Sequence, residues 1–240
     1  MLGNHLKNKI MRKLSVTFVW MAALFCVCLI TSNIFEARLW KVWNLPFQLT
    51  GGVIIFPISY IINDCLTEVY GYRKARLVIW MGFVLSFFVA LTGMIACALP
   101  GPMDSEAMTM AESFNSLFSF VPRTMVGSLL AFLAGSTVNA WVMSRMKVSS
   151  EGKRFGVRAI ASSVAGELVD SLIFFPIVFL GILGTKTMIS LMITQVFVKT
   201  LYEIVVLPLT SVIVKKVKKI EGEDTFDQNI SYNPFKINDI

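Results

Sequence analysis

The chain has 240 residues, of which 55% are hydrophobic and only 15% charged, at a mean hydropathy of +0.70. Soluble domains carry about a quarter charged residues, so this composition makes lipid the main solvent and leaves no length for a separate soluble catalytic domain. The formal charge of +7 does not point to nucleic acid, because the basic residues stand in short clusters between apolar runs and not on one continuous surface.

A bilayer core takes about 20 apolar residues per helix, and six stretches meet that requirement: 14–36, 51–70, 75–100, 117–142, 157–183 and 187–214. The first follows a basic leader (Lys7, Lys9, Arg12, Lys13) like that of a signal peptide, but its apolar run is long and has no small-x-small cleavage site, so it is read as an uncleaved span. Sorting the basic residues by loop places 17 of the 22 on one side. They are the leader, Arg73, Lys74 and Arg76, the group from Arg145 to Arg158, and Lys215 to Lys219 with Lys236. The other side holds Arg38, Lys41 and Lys186, and its longest loop carries Asp104, Glu106 and Glu112. The positive-inside bias then puts both termini in the cytoplasm. The expected fold is an all-α integral membrane protein with six transmembrane helices. Residues 1–214 form one transporter domain and 215–240 a polar cytoplasmic tail, of which Glu221 to Ile240 reads as a mobile end. Two halves of three spans would run in opposite directions, an inverted 3+3 arrangement that many transporters use.

Histidine catalysis and histidine metal sites have only His5 to draw on, and neither HExxH nor GxSxG occurs. No enzyme, cofactor, metal site or soluble partner is expected. Cys26, Cys28, Cys65 and Cys97 all lie in apolar runs without a CxxC and read as small buried hydrophobes.

Ionisable residues inside spans are costly unless they face a bundle interior or a wet cavity. Tyr60, Asp64 and Glu68 recur at i, i+4, i+8 in the second span, with Asn63 and Thr67 on the adjoining strip, so one polar face should point inward and an apolar face outward. In the fifth span Ser163, Glu167 and Asp170 stack on one face, and in the sixth Gln195, Lys199 and Glu203 follow at steps of four. Three polar faces then line one cavity. Lys199 and Glu203 could also neutralise each other on their own helix, and Glu68 lies near the cytoplasmic end where water is close. Arg123 follows Pro122 at a span start and could equally reach the outer interface. Asn33 and Asn139, near span ends, have helix-to-helix hydrogen bonding as the alternative to ligand contact.

The stretches FPISYIINDCLTEVYGYRKAR (56–76), GELVDSLIFF (166–175) and VKTLYEIVVLP (198–208) resemble the queuosine precursor transporters, also called the vitamin uptake transporter family. The likeness runs from about residue 15 to 215. It implies a six-spanning protein of the bacterial inner membrane that imports 7-deazaguanines such as preQ0, preQ1 or queuine for tRNA queuosine salvage. Asn33, Asp64, Glu68, Arg123, Asp170 and Lys199 match polar positions of that family's pattern; Glu203 and Asn139 are not placed by it. The chemistry allows such a ligand. A guanine-like edge has two parallel N–H donors that suit a carboxylate, and an O6 that wants a cation. The acidic excess would favour a cationic aminomethyl precursor and permit proton coupling. The rival reading is a substrate-binding subunit of an energy-coupling-factor type vitamin transporter, which would need ATPase partners.

Overall fold

The computed structural model describes residues 15–41, 48–119, 121–222, 224–227, 230, 231, 233 and 235; the basic leader with His5, and Lys236, lie outside them. Backbone in lipid must satisfy its own hydrogen bonds, and the described chain does so with seven α-helices. Helix α1 (Val16–Phe35) starts where the Ser15 hydroxyl accepts the Phe18 N–H at 3.0 Å. A short antiparallel hairpin follows, β1 (Leu39–Lys41) and β2 (Gln48–Thr50), with Leu39 opposite Thr50. One 3-10 turn (Gly51–Ile54) then leads into α2 (Phe56–Tyr70). The remaining helices are α3 (Tyr72–Cys97), α4 (Ser105–Ser119), α5 (Val121–Ser149), α6 (Phe155–Phe179) and α7 (Thr185–Glu221).

Among the described residues, five helices are long and apolar enough to cross a membrane: α1, α3, residues 126–149 of α5, α6 and α7. The chain is a multi-pass α-helical membrane protein. The stretch expected as a continuous second span is instead broken at Ile55. At 1.5 Å per residue, the 15 residues of α2 reach only about 22 Å, and the 3-10 turn adds about 8 Å. Nor does α2 have the apolar outward face expected of it. Residues 61–70 are buried all round, because α1, α3, α5 and α7 all pack on this helix. Its Ile62, Leu66 and Val69 share a core with Phe25, Leu29 and Phe132. Lipid is met by other faces: Val84, Phe88 and Ile95 of α3 and Ile193, Phe197 and Val205 of α7 are all exposed.

Two further features depart from the sequence reading. The acidic stretch before the fourth span, expected as a loop, contains α4, which starts with the Ala107 N–H donating to the Asp104 carboxylate at 3.1 Å. It lies on the end of α3, with the Phe118 ring so close to Gly93 that an added Cβ would stand 2.3 Å from Cε1. The tail was expected to be mobile, yet its described residues 224, 225, 227, 231 and 233 contact the bundle. Helix α7 runs on to Glu221 and stops at Gly222 in the left-handed region (φ +63°). Beyond it the Asp227 carboxylate accepts the Tyr72 N–H at 3.1 and 3.0 Å and the Ser144 hydroxyl. Arg76 donates to the Ser231 and Asn233 carbonyls at 3.2 and 2.8 Å. Helix α3 has no capping side chain of its own, since Gly71 precedes it, and Asp227 supplies the missing acceptor.

The bundle therefore has two distinct ends. At one, the basic end, the α2–α3 turn, the α5–α6 loop and the tail meet. At the other, the hairpin end, β1–β2, α4 and the α6–α7 loop surround a pocket.

Candidate functional site

The middle of the bundle holds one ammonium among several carboxyl groups. On α7, Gln195, Lys199 and Glu203 fall on the same buried face, which meets the buried Ser163, Glu167 and Asp170 of α6. The Lys199 Nζ stands 2.9 Å from Glu167 Oε2 and 3.7 Å from Asp170 Oδ2. Its closest partners are thus the acids of the neighbouring helix, not Glu203 on its own. Glu203 faces Ser163 and lies within electrostatic range of Glu167 and Asp64. Asp64 is 1% exposed and looks onto Asn139. Among the described residues neither carboxylate oxygen of Asp64 and neither side-chain polar atom of Asn139 completes a hydrogen bond.

One acid of this group was not picked out from the sequence. Glu36, at the C-cap of α1, is 6% exposed and has Thr50, Gln195, Lys199 and Asp170 around it. It sits where an apolar run ends, so composition alone makes it look like an interfacial residue. Its position i+4 from the buried Ser32 was the signal that it faces inward. From Glu36 through Lys199 to Asp64, six ionisable side chains form one continuous buried seam. Among the described residues of the seam, five carboxyl groups stand beside one ammonium.

Glu68 is placed elsewhere. Its carboxylate takes a two-pronged hydrogen bond from Arg158, at 2.5 and 3.0 Å, and one from Lys218 at 2.7 Å. Lys147 stands 3.8 Å away and also donates to the Glu68 and Thr225 carbonyls. Asp224 joins from the tail, 2.6 Å from Lys147 and 3.0 Å from Lys218. Burial pushes the Asp224 carboxyl upward, but the hydrogen bonds from Lys147 and Lys218 outweigh it and hold the group below the ordinary carboxylate range. Arg158 and Lys147, counted from sequence as loop charges, are 1% and 2% exposed. This cluster ties α2, α5, α6, α7 and the tail together at the basic end.

The remaining candidates lie outside the seam. Arg123 is exposed and donates to the Ile177 carbonyl at 2.6 Å and to that of Leu180, so it satisfies carbonyls at the end of α6. Asn33 accepts the Ser128 hydroxyl beside an apolar side pocket that also includes Ser86 and Thr124. Asn63 donates to the Ser136 carbonyl at 3.4 Å from a fully buried position. The side chain of Tyr60 lies outside those described. Cys26, Cys28 and Cys65 are buried and unpaired.

Comparison with known proteins places this architecture. The chain is 27% identical over 194 residues, 80% of each chain, to a protein of Bacillus subtilis (strain 168) called "Probable queuosine precursor transporter". It is 27% identical over 160 residues, 67% of each chain, to the "Queuosine precursor transporter" of Escherichia coli (strain K12). No solved structure matches. Residues 50–213 match the family described as "Putative vitamin uptake transporter", which spans the broken α2, the seam residues other than Glu36, and most of α7. The chain belongs to this vitamin uptake transporter family.

Proposed function

We propose that this protein is an importer of 7-deazaguanine precursors of queuosine, resident in the bacterial inner membrane with its basic end in the cytoplasm. The observation that carries the reading is the group Glu167, Asp170 and Lys199 in the middle of the bundle, with the buried Asp64 carboxylate, which completes no hydrogen bond among the described residues, farther along the seam. A guanine-like ring presents two parallel N–H donors beside an acceptor, and this set presents carboxylates beside one ammonium. Asp64 or Asp170 takes the paired donors, and Lys199 takes O6 or N7. Glu203 lies between the two acids and keeps the path polar.

The relatives' names supply the substrate class, and the backbone supports transport. Segment 51–70 serves as a sixth crossing in the form of a broken helix, the kind of irregular backbone that is tolerated at membrane depth where it lines a cavity. The two sets of three crossings then run oppositely. The Glu68 cluster and the tail close the basic end, and the pocket at the hairpin end faces the periplasm. Among the described seam residues five carboxyl groups face one ammonium, and keeping all of them charged at this depth is costly, which favours proton movement accompanying ligand entry.

The test is uptake of a labelled 7-deazaguanine by a salvage-dependent bacterium that lacks its own importer and expresses this chain. Asp64→Asn and Asp170→Asn should each lower uptake at least tenfold at parental membrane levels, because an amide cannot accept two parallel N–H bonds. Parental uptake in both variants contradicts the cavity assignment.

A further inference from the structure

The pocket at the hairpin end is walled by Glu36, Leu39, Ser113, Ser116, Phe179 and Leu183. It brings together the end of α1, the hairpin, α4 and the end of α6. Glu36 is the one ionisable group among its described lining residues. The same side chain belongs to the buried seam, with Gln195, Lys199 and Asp170 on its inner side. Glu36 therefore stands at the junction between the pocket and the seam.

Its chemistry is unfinished in a specific way. The Oε1 atom lies over Gly52, so close that an added Cβ would stand 2.2 Å from it. The Gln195 amide oxygen is engaged by the Thr50 hydroxyl at 3.3 Å. The Oε2 atom of Glu36 is buried without a hydrogen bond among the described residues. The Glu36 carboxylate has Thr50 and Gln195 beside it, lines the pocket, and keeps one buried oxygen without a hydrogen bond among the described residues, so a ligand's N–H groups can complete it.

We propose that Glu36 is an entry-side specificity residue, a first station that holds the paired N–H donors of a planar heterocycle in the hairpin-end pocket before the ligand passes to Lys199. This rests on the transport reading and adds to it a second, outer acceptor. Gly52 is part of the device, because only a residue without a Cβ lets the carboxylate lie against the 3-10 turn. The donors selected are those of a 2-amino-4-oxo pyrimidine edge, so an analogue lacking the 2-amino group loses one of its two bonds at this station.

The experiment measures concentration-dependent uptake of a labelled 7-deazaguanine, and competition by its analogue without the 2-amino group, in cells expressing the parent, Glu36→Gln, Glu36→Asp or Gly52→Ala. A lost charge-assisted hydrogen bond corresponds to roughly a 10- to 100-fold change. Glu36→Gln should raise KM by that factor and should remove the preference over the analogue. Glu36→Asp should recover part of the preference. Gly52→Ala displaces the carboxylate without removing it and should raise KM in the same direction; it decides the matter if Glu36→Gln does not reach the membrane. Parental KM and parental preference in the variants overturn the entry station and leave the transport reading standing. A parent chain without uptake overturns both.

Discussion

Replacing Glu68 by leucine separates a structural role from a ligand role for this residue. In the parent, the Glu68 carboxylate receives Arg158 through both guanidinium nitrogens and Lys218 at 2.7 Å. Without it, Lys147 and Lys218 keep Asp224, but Arg158 keeps uncharged partners, the carbonyls of Lys153 and Gly152, the Met143 sulfur and the Phe155 ring. A guanidinium 1% exposed is then left without its hydrogen-bonded carboxylate. Removing one partner of a buried ion pair costs about 3–5 kcal/mol, against a total stability of roughly 5–15 kcal/mol. For a chain of this length that corresponds to a fall in melting temperature of about 10 °C, measurable by thermal unfolding in detergent. The double variant Glu68→Leu with Arg158→Leu should recover much of the loss, since an apolar pair fits the same space without an orphan charge. A Glu68→Leu protein that melts with the parent refutes the account of the basic end.

Lys199→Met should abolish uptake while the chain still reaches the membrane, because methionine is of similar length and flexibility but leaves the acids of α6 without their cation. Adding Glu203→Leu should not restore uptake, since the partners of Lys199 are Glu167 and Asp170; recovery to near the parental rate in the double variant would make Lys199 half of a structural pair with Glu203. Asp227→Ala removes the acceptor that caps α3 and should cost about 1–2 kcal/mol of stability, with faster protease cleavage between residues 222 and 235 as the direct readout. Asp224 gives a pH dependence whose sign is fixed. Its docked form binds the proton less readily than the free carboxyl, so its contribution is present above about pH 4 and is lost as acid carries the pH through the docked value. Protease sensitivity of the tail should be flat from pH 8 to 5 and rise below about pH 4, and a rise with increasing pH would contradict the ion pairs to Lys147 and Lys218.

What the sequence disclosed follows from how each residue announces its surroundings. Long apolar runs cannot be anything but helices in lipid, so α1, α3, α5, α6 and α7 were legible from hydropathy. The i, i+4 steps placed Gln195, Lys199 and Glu203 on one face, and the structure shows that face buried. Other features depend on three-dimensional neighbours. Helix α2 looked amphipathic because its polar residues repeat at helical spacing, yet four helices surround it and its apolar side is core as well. Arg158 and Lys147 looked like solvated loop charges, because no single-sequence pattern shows that two basic residues 11 positions apart will converge on one carboxylate from α2. The docked tail was hidden for the same reason: Asp227 reads as one more polar residue until Gly71 is seen to leave α3 uncapped. Glu36 was missed because the end of an apolar run is where an acid normally meets water.

The most direct test uses the purified chain alone in liposomes, with labelled 7-deazaguanine outside. The account predicts time-dependent uptake that excess unlabelled ligand suppresses and that Asp170→Asn reduces at least tenfold. No uptake by the chain alone, with uptake appearing only when ATPase subunits are supplied, would contradict it and make the protein a substrate-binding subunit of a larger transporter.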